Sequence, residues 1–184
     1  MNEFDVDLLS NIYVTNNDHT LKQYQEFANY IMVHGLERND EFIGKNIFIN
    51  HFLYHIDDII ITEQEQFTRV VPWEIYGDCK NFYPDLNLVK AGRLNPEGVG
   101  YLYLGNNENT SVMEAKLSKE QFFYIGWFMP KRKLRLLDFS CNRKAEESEE
   151  NSYKLILDKM FSKPINANDN KREYLPTQFI AKLI

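Results

Sequence analysis

The chain has 184 residues, 43% hydrophobic and 14% aromatic, enough to close one full domain or a catalytic core with a helical appendage. The formal net charge is -6, and Lys and Arg do not gather into a basic stripe, which argues against duplex nucleic acid as the main ligand but leaves room for a small-anion pocket. Cys79 and Cys141 lie far apart with no CxxC or Cys/His cluster, so neither a zinc site nor a disulfide framework is signalled, and a reducing cytoplasm is expected.

The amino terminus MNEFDVDLLS is acidic and lacks the basic and apolar regions of a signal peptide, and no apolar run approaches the length that spans a bilayer. No membrane partner is expected. Over residues 21–36, Leu21, Tyr24, Phe27, Ala28, Ile31 and Met32 recur at helical spacing, and Gly35 sits where a helix would end. A second helical pattern starts after Asn39 and Asp40, either of which can cap it, and runs through Phe42, Ile43, Ile47, Phe48 and Phe52 to Ile56. Residues 1–62 therefore read as an N-terminal helical segment, with the domain boundary near Thr62 and a second domain over residues 63–184. His51 and His55 stand one helical turn apart, a spacing that can hold a metal, but no Glu follows the first and no third ligand is evident. Surface or capping histidines are the simpler reading, and no metal is expected.

Residues 66–71 alternate and are β-branched, with Pro72 closing them as a strand would require. Residues 74–92, punctuated by Gly77, Pro84 and Gly92, read as loop, and a turn over 93–98 leads to a short strand at 101–104. Asn107 to Thr110 are polar and lead into a short helix whose Ser111/Glu114 spacing is that of a capping box. Strands are predicted at 121–129 and 133–139, a charged loop at 142–151, a helix at 153–161, a polar loop at 164–172, and a last helix from near Pro176 to Ile184. The order predicts an α+β fold, a helical start followed by a mixed β core with short helices.

Three residues between 92 and 114 have chemistry to offer. Arg93 follows a glycine and precedes a turn, where its guanidinium can grip a diphosphate, or pair as a loop arginine with Asp85 or Glu97. Tyr103 can stack on an aromatic ligand or pack into a core, with Tyr101 on the same face of the strand. Glu114 can offset a developing sugar cation, or serve as the capping-box partner of Ser111.

The turn Gly92-Arg93-Leu94-Asn95-Pro96-Glu97-Gly98, the strand Tyr101-Leu102-Tyr103-Leu104 and the helix Ser111-Val112-Met113-Glu114 together resemble the RES domain. Its members show a Gly-Arg-aromatic-Asn-x-x-Gly turn, a strand with a Tyr and a helix with a Glu; Leu94 replaces the usual aromatic residue. The resemblance continues at Phe67-Thr68-Arg69-Val70, Leu136-Leu137-Asp138-Phe139-Ser140 and Tyr174-Leu175-Pro176-Thr177-Gln178, so that it covers residues 66–184.

The resemblance implies a fold similar to the ADP-ribosyltransferase toxins and a role like that of toxins in bacterial toxin-antitoxin pairs. It implies NAD⁺ as substrate rather than cofactor, cleaved at the nicotinamide-ribose bond by hydrolysis or phosphorolysis. By the same resemblance Glu114, Arg93 and Tyr103 are the catalytic residues, Arg69, Asn95 and Tyr101 bind substrate, and a cognate antitoxin or regulatory protein is the partner. The family's Ser lies on a strand beyond the Pro-Thr-Gln helix, whereas this chain stops at Ile184 within that helix, and Ser140 occupies a different place in the pattern. A C-terminally incomplete domain is therefore expected. Two functions follow from it: an NAD-degrading toxin or defence effector, and a truncated, inactive RES-like module that binds a protein partner. The first helices are similar to HEPN-like segments but lack an Arg-then-His ribonuclease motif, so nuclease activity is not expected.

Overall fold

The computed structural model describes residues 18–55, 57–73, 82–118, 120–140, 149–163 and 170–184. The helices are α1 (Asp18–His34), α2 (Asp40–Lys45), α3 (Ile47–His55), α4 (Glu108–Glu114), α5 (Glu149–Ser162) and α6 (Leu175–Leu183), with a 3-10 turn, Lys171–Tyr174, before the last. The strands are β1 (Asp57–Ile61), β2 (Phe67–Pro72), β3 (Phe123–Phe128) and β4 (Leu134–Asp138). This is the expected mixed α+β class. The elements form two compact units: the strands and α4 lie in Asp57–Asp138, and the remaining helices, drawn from both sides of that stretch, form the other.

In the helical unit α1 buries the stripe Tyr24, Phe27, Ala28 and Ile31. It ends at Gly35, whose φ of 76° is the left-handed geometry of a helix stop and whose N–H donates to the Ile31 carbonyl at 2.7 Å. The single helix expected from residue 40 to 56 is two. Asn39 caps α2 by accepting from the Phe42 N–H at 3.0 Å, and the chain breaks at Asn46, whose extended ψ of 116° ends α2. The Asn46 side chain then accepts from the Ile49 N–H at 2.9 Å, stabilising the start of α3.

The faces of α1 and α3 do not cover each other alone. Phe27 stacks on Phe48 with ring centroids 5.5 Å apart and meets Phe179 of α6 at 6.1 Å. Tyr153, Ile156, Leu157 and Met160 of α5 join the same buried cluster. The helical unit therefore does not follow the division at Thr62, because periodicity marks an amphipathic face without saying which segment will cover it. His51 belongs to this unit too, lying against the Tyr153 ring with centroids 3.7 Å apart.

In the strand unit β2 runs antiparallel to β3, from Phe67 opposite Phe128 to Pro72 opposite Phe123. β1 runs antiparallel to β4, from Asp57 opposite Asp138 to Ile61 opposite Leu134. β1 was not expected, since residues 57–61 fall where the helical reading runs out. Its signal was present in the β-branched run Ile59-Ile60-Ile61. Residues 101–104, expected as a strand, belong to no ladder; the chain there meets the sheet through one bridge, Gly105 to Thr68. The loop around Gly77, Cys79 and Cys141, and most of the charged and polar stretches expected at 142–151 and 164–172, lie outside the described residues.

Candidate active site

Thr68, on β2, is where three segments meet. Its N–H donates to the Gly105 carbonyl and its carbonyl accepts from the Gly105 N–H, both at 2.8 Å. Ser111 of α4 donates its hydroxyl to the Thr68 carbonyl at 2.9 Å and lies 2.8 Å from the Thr68 hydroxyl. Both side chains are buried, so these bonds hold without competition from water and fix α4 against the sheet.

Gly105 makes that approach possible. A Cβ at this position would overlap the Ser111 hydroxyl and stand 3.2 Å from the Ser111 amide nitrogen. Gly105→Ala is therefore expected to push α4 off the bridge, lowering stability by about 1–3 kcal/mol on the scale of overpacking. Thermal denaturation reads the loss, and an unchanged midpoint would mean that α4 does not need this contact.

The expected capping box is not formed. α4 begins three residues before Ser111, with Asn107 as its N-cap accepting from the Thr110 N–H at 2.9 Å, while Ser111 faces the sheet. The competing polar run at residues 106–110 supplied a better cap than Ser111, whose hydroxyl had a buried partner in Thr68. Glu114 is thereby released from the capping role. It is exposed at the last turn of α4, where the helix dipole disfavours a carboxylate and no basic residue compensates. A residue that breaks a local rule without structural return is a candidate for function.

Glu114 borders a cavity of about 300 Å³ lined by Arg69, Val70, Tyr103, Gly105, Ser111, Glu114 and Ala115. Three segments, β2, the stretch from Tyr103 to Gly105, and α4 with its C-cap Ala115, thus bring a guanidinium, a phenol ring and a carboxylate to one concavity. Arg69 sits opposite Gly126 in the β2–β3 register, so both point to the same sheet face. The Phe82 ring covers Gly126 so closely that an added Cβ would come within 2.7 Å of it, placing an aromatic wall beside Arg69.

The other residues singled out from the sequence lie elsewhere. Arg93 is buried, 7% exposed, and is not among the residues lining the cavity; neither is Tyr101, which is at the surface. Asn95 is 4% exposed and is not among the lining residues; its Nδ2 donates to backbone carbonyls of its own turn and its Oδ1 accepts from the Tyr103 hydroxyl. Arg69, the lesser arginine on sequence grounds, lines the hollow from β2, whereas Arg93 sits in the turn that follows Gly92. Thr68, Ser111 and Gly105 were missed as the frame of the site; only the glycine ending Tyr101-Leu102-Tyr103-Leu104-Gly105 hinted at it.

Burial raises the Tyr103 pKa above its ordinary 10.0; a backbone hydrogen bond from Leu94 opposes this and the neighbouring Tyr101 adds to it. Tyr103 is therefore a neutral phenol through the physiological range. Because folding raises the value, the associated stabilisation is fully present below pH 10 and is lost as pH climbs through the raised value.

A family model, the RES domain, matches residues 72–184, more than half of the chain. The chain belongs to the RES domain family. No curated protein and no solved structure matches it. The RES match includes Tyr103, Gly105, Ser111, Glu114 and Ala115 of the cavity, and Arg69 and Val70 lie immediately ahead of it. Among the described residues, no helix of this RES protein is long and apolar enough to cross a membrane.

Proposed function

We propose that this RES domain is an NAD-degrading toxin or defence effector that cleaves NAD⁺ at the nicotinamide-ribose bond. The observation that carries the reading is the cavity shared by Arg69, Tyr103 and Glu114. The substrate presents a diphosphate, an aromatic ring and a ribose that becomes cationic, and these three side chains are the complements of those groups. In the reaction the ribose C1′–N bond breaks, its electron pair leaves with nicotinamide, and the oxocarbenium-like ribose is captured by water or phosphate. A carboxylate beside that sugar stabilises the transition state more than the ground state. Arg69 holds the diphosphate, with Glu114 at the ribose and Tyr103 under the nicotinamide. About 300 Å³ is at the small end of ligand sites and suits the reacting end of the dinucleotide. A cognate antitoxin or regulatory protein would restrain the enzyme by covering this hollow.

The test is nicotinamide release from NAD⁺ by the purified protein, in water and in phosphate, and by a version carrying any residues that follow Ile184 in its gene. Release that disappears with Glu114→Gln is the expected result. No release from either version would overturn the enzyme reading and leave the partner-binding module in its place.

A further inference from the structure

Tyr103 lines the cavity and is 46% exposed as a residue, but its hydroxyl is turned into the loop that begins at Gly92. That hydroxyl donates its one proton to Asn95 Oδ1 at 2.7 Å. The Asn95 amide cannot turn away: its Nδ2 donates to the Lys90 carbonyl at 3.1 Å and to the Pro96 carbonyl at 3.2 Å, which orients Oδ1 toward the phenol. The Leu94 backbone reaches the same phenol oxygen. Gly92 closes the arrangement, since its N–H donates to the Asn95 carbonyl at 2.9 Å and a Cβ on it would stand 2.9 Å from Asn95 Oδ1. A phenol whose one proton is committed inside the protein has no proton left to give a ligand, and what it presents to the cavity is its ring.

We infer that Asn95 is a positioning residue which holds the Tyr103 hydroxyl in the turn, so that Tyr103 serves the cavity as a planar platform for an aromatic ring and takes no part in proton transfer. For the identity of that ring the inference rests on the proposed NAD⁺ reaction; for the clamp itself it rests on geometry alone. It assigns the Gly92-Arg93-Leu94-Asn95 turn a task distinct from substrate contact.

Two readouts test it. The first is the alkaline titration of Tyr103, followed by tyrosinate absorbance as the difference between the protein and its Tyr103→Phe variant. Asn95→Ala removes the acceptor that favours the neutral phenol, and Gly92→Ala displaces it without shortening a side chain, so in either variant Tyr103 should titrate lower, toward its ordinary value. An unchanged titration in both folded variants overturns the clamp.

The second readout is nicotinamide release. Tyr103→Phe keeps the ring and should lose less than about tenfold in kcat/KM, whereas Tyr103→Ala should lose about a hundredfold or more, on the scale of two to three kcal-sized ring contacts. Asn95→Ala added to Tyr103→Phe should cost no more than about twofold beyond the larger single effect, because the two act through one bond. Tyr103→Phe as damaging as Tyr103→Ala would show that the hydroxyl does the chemistry and would overturn the platform. If the wild-type protein releases no nicotinamide, the NAD⁺ reading falls while the titration still decides the clamp.

Discussion

Glu114→Gln is expected to slow nicotinamide release by about a hundredfold or more while leaving stability within about 0.5 kcal/mol of the wild type. The two halves of this expectation have separate causes. Glutamine keeps the shape of the side chain and removes only its charge, so the loss falls on a transition state in which the ribose is cationic. Stability should hold because Glu114 is exposed and the N-terminus of α4 is capped by Asn107. Relief of a carboxylate from the negative end of the helix would, if anything, stabilise the variant slightly. Arg69→Ala provides the contrast: a diphosphate contact acts on ground and transition states alike, so KM should rise more than kcat falls. A Glu114→Gln protein with undiminished turnover, or one that unfolds as it loses activity, would remove Glu114 from the chemistry.

Phe27→Ala should destabilise the helical unit by about 3–5 kcal/mol, the cost of deleting a large buried ring and leaving part of its cavity unfilled. Phe27 is 0% exposed and lies among Tyr24, Phe48 and Phe179, so truncation removes contacts with α1, α3 and α6 together. Because α5 and α6 complete this core, the effect should reach both ends of the chain: hydrogen exchange should quicken in α6 as well as in α1. Urea denaturation measures the free energy, and a loss under about 1 kcal/mol would mean that the aromatic cluster is not the keystone of the unit.

Much of the local structure could be read directly from the residues. The stripe of α1 and its stop at Gly35, the strand closed by Pro72, the helix opened by Pro176 and the α+β order of elements all depend on short-range periodicity, turn chemistry and caps, which one sequence displays in full. That Tyr103 and Glu114 would be worth looking for was equally legible, because the order of turn, aromatic residue and carboxylate stands in the chain as a motif; that both line one cavity is a finding of the structure. Other features depend on which segments meet. That α5 and α6, rather than a partner within residues 1–62, cover α1 and α3 follows from matching apolar faces across more than a hundred residues. That Arg69 lines the cavity while Arg93 is buried follows from where the bridge between Thr68 and Gly105 brings β2 and from the depth of the turn that takes Arg93 inside. Ser111 displays the spacing of a capping residue, yet Thr68 is the partner that fixes it; only packing could decide between a local hydrogen bond and a buried one formed 43 positions away, since the buried bond is shielded from water and the local cap was already supplied by Asn107.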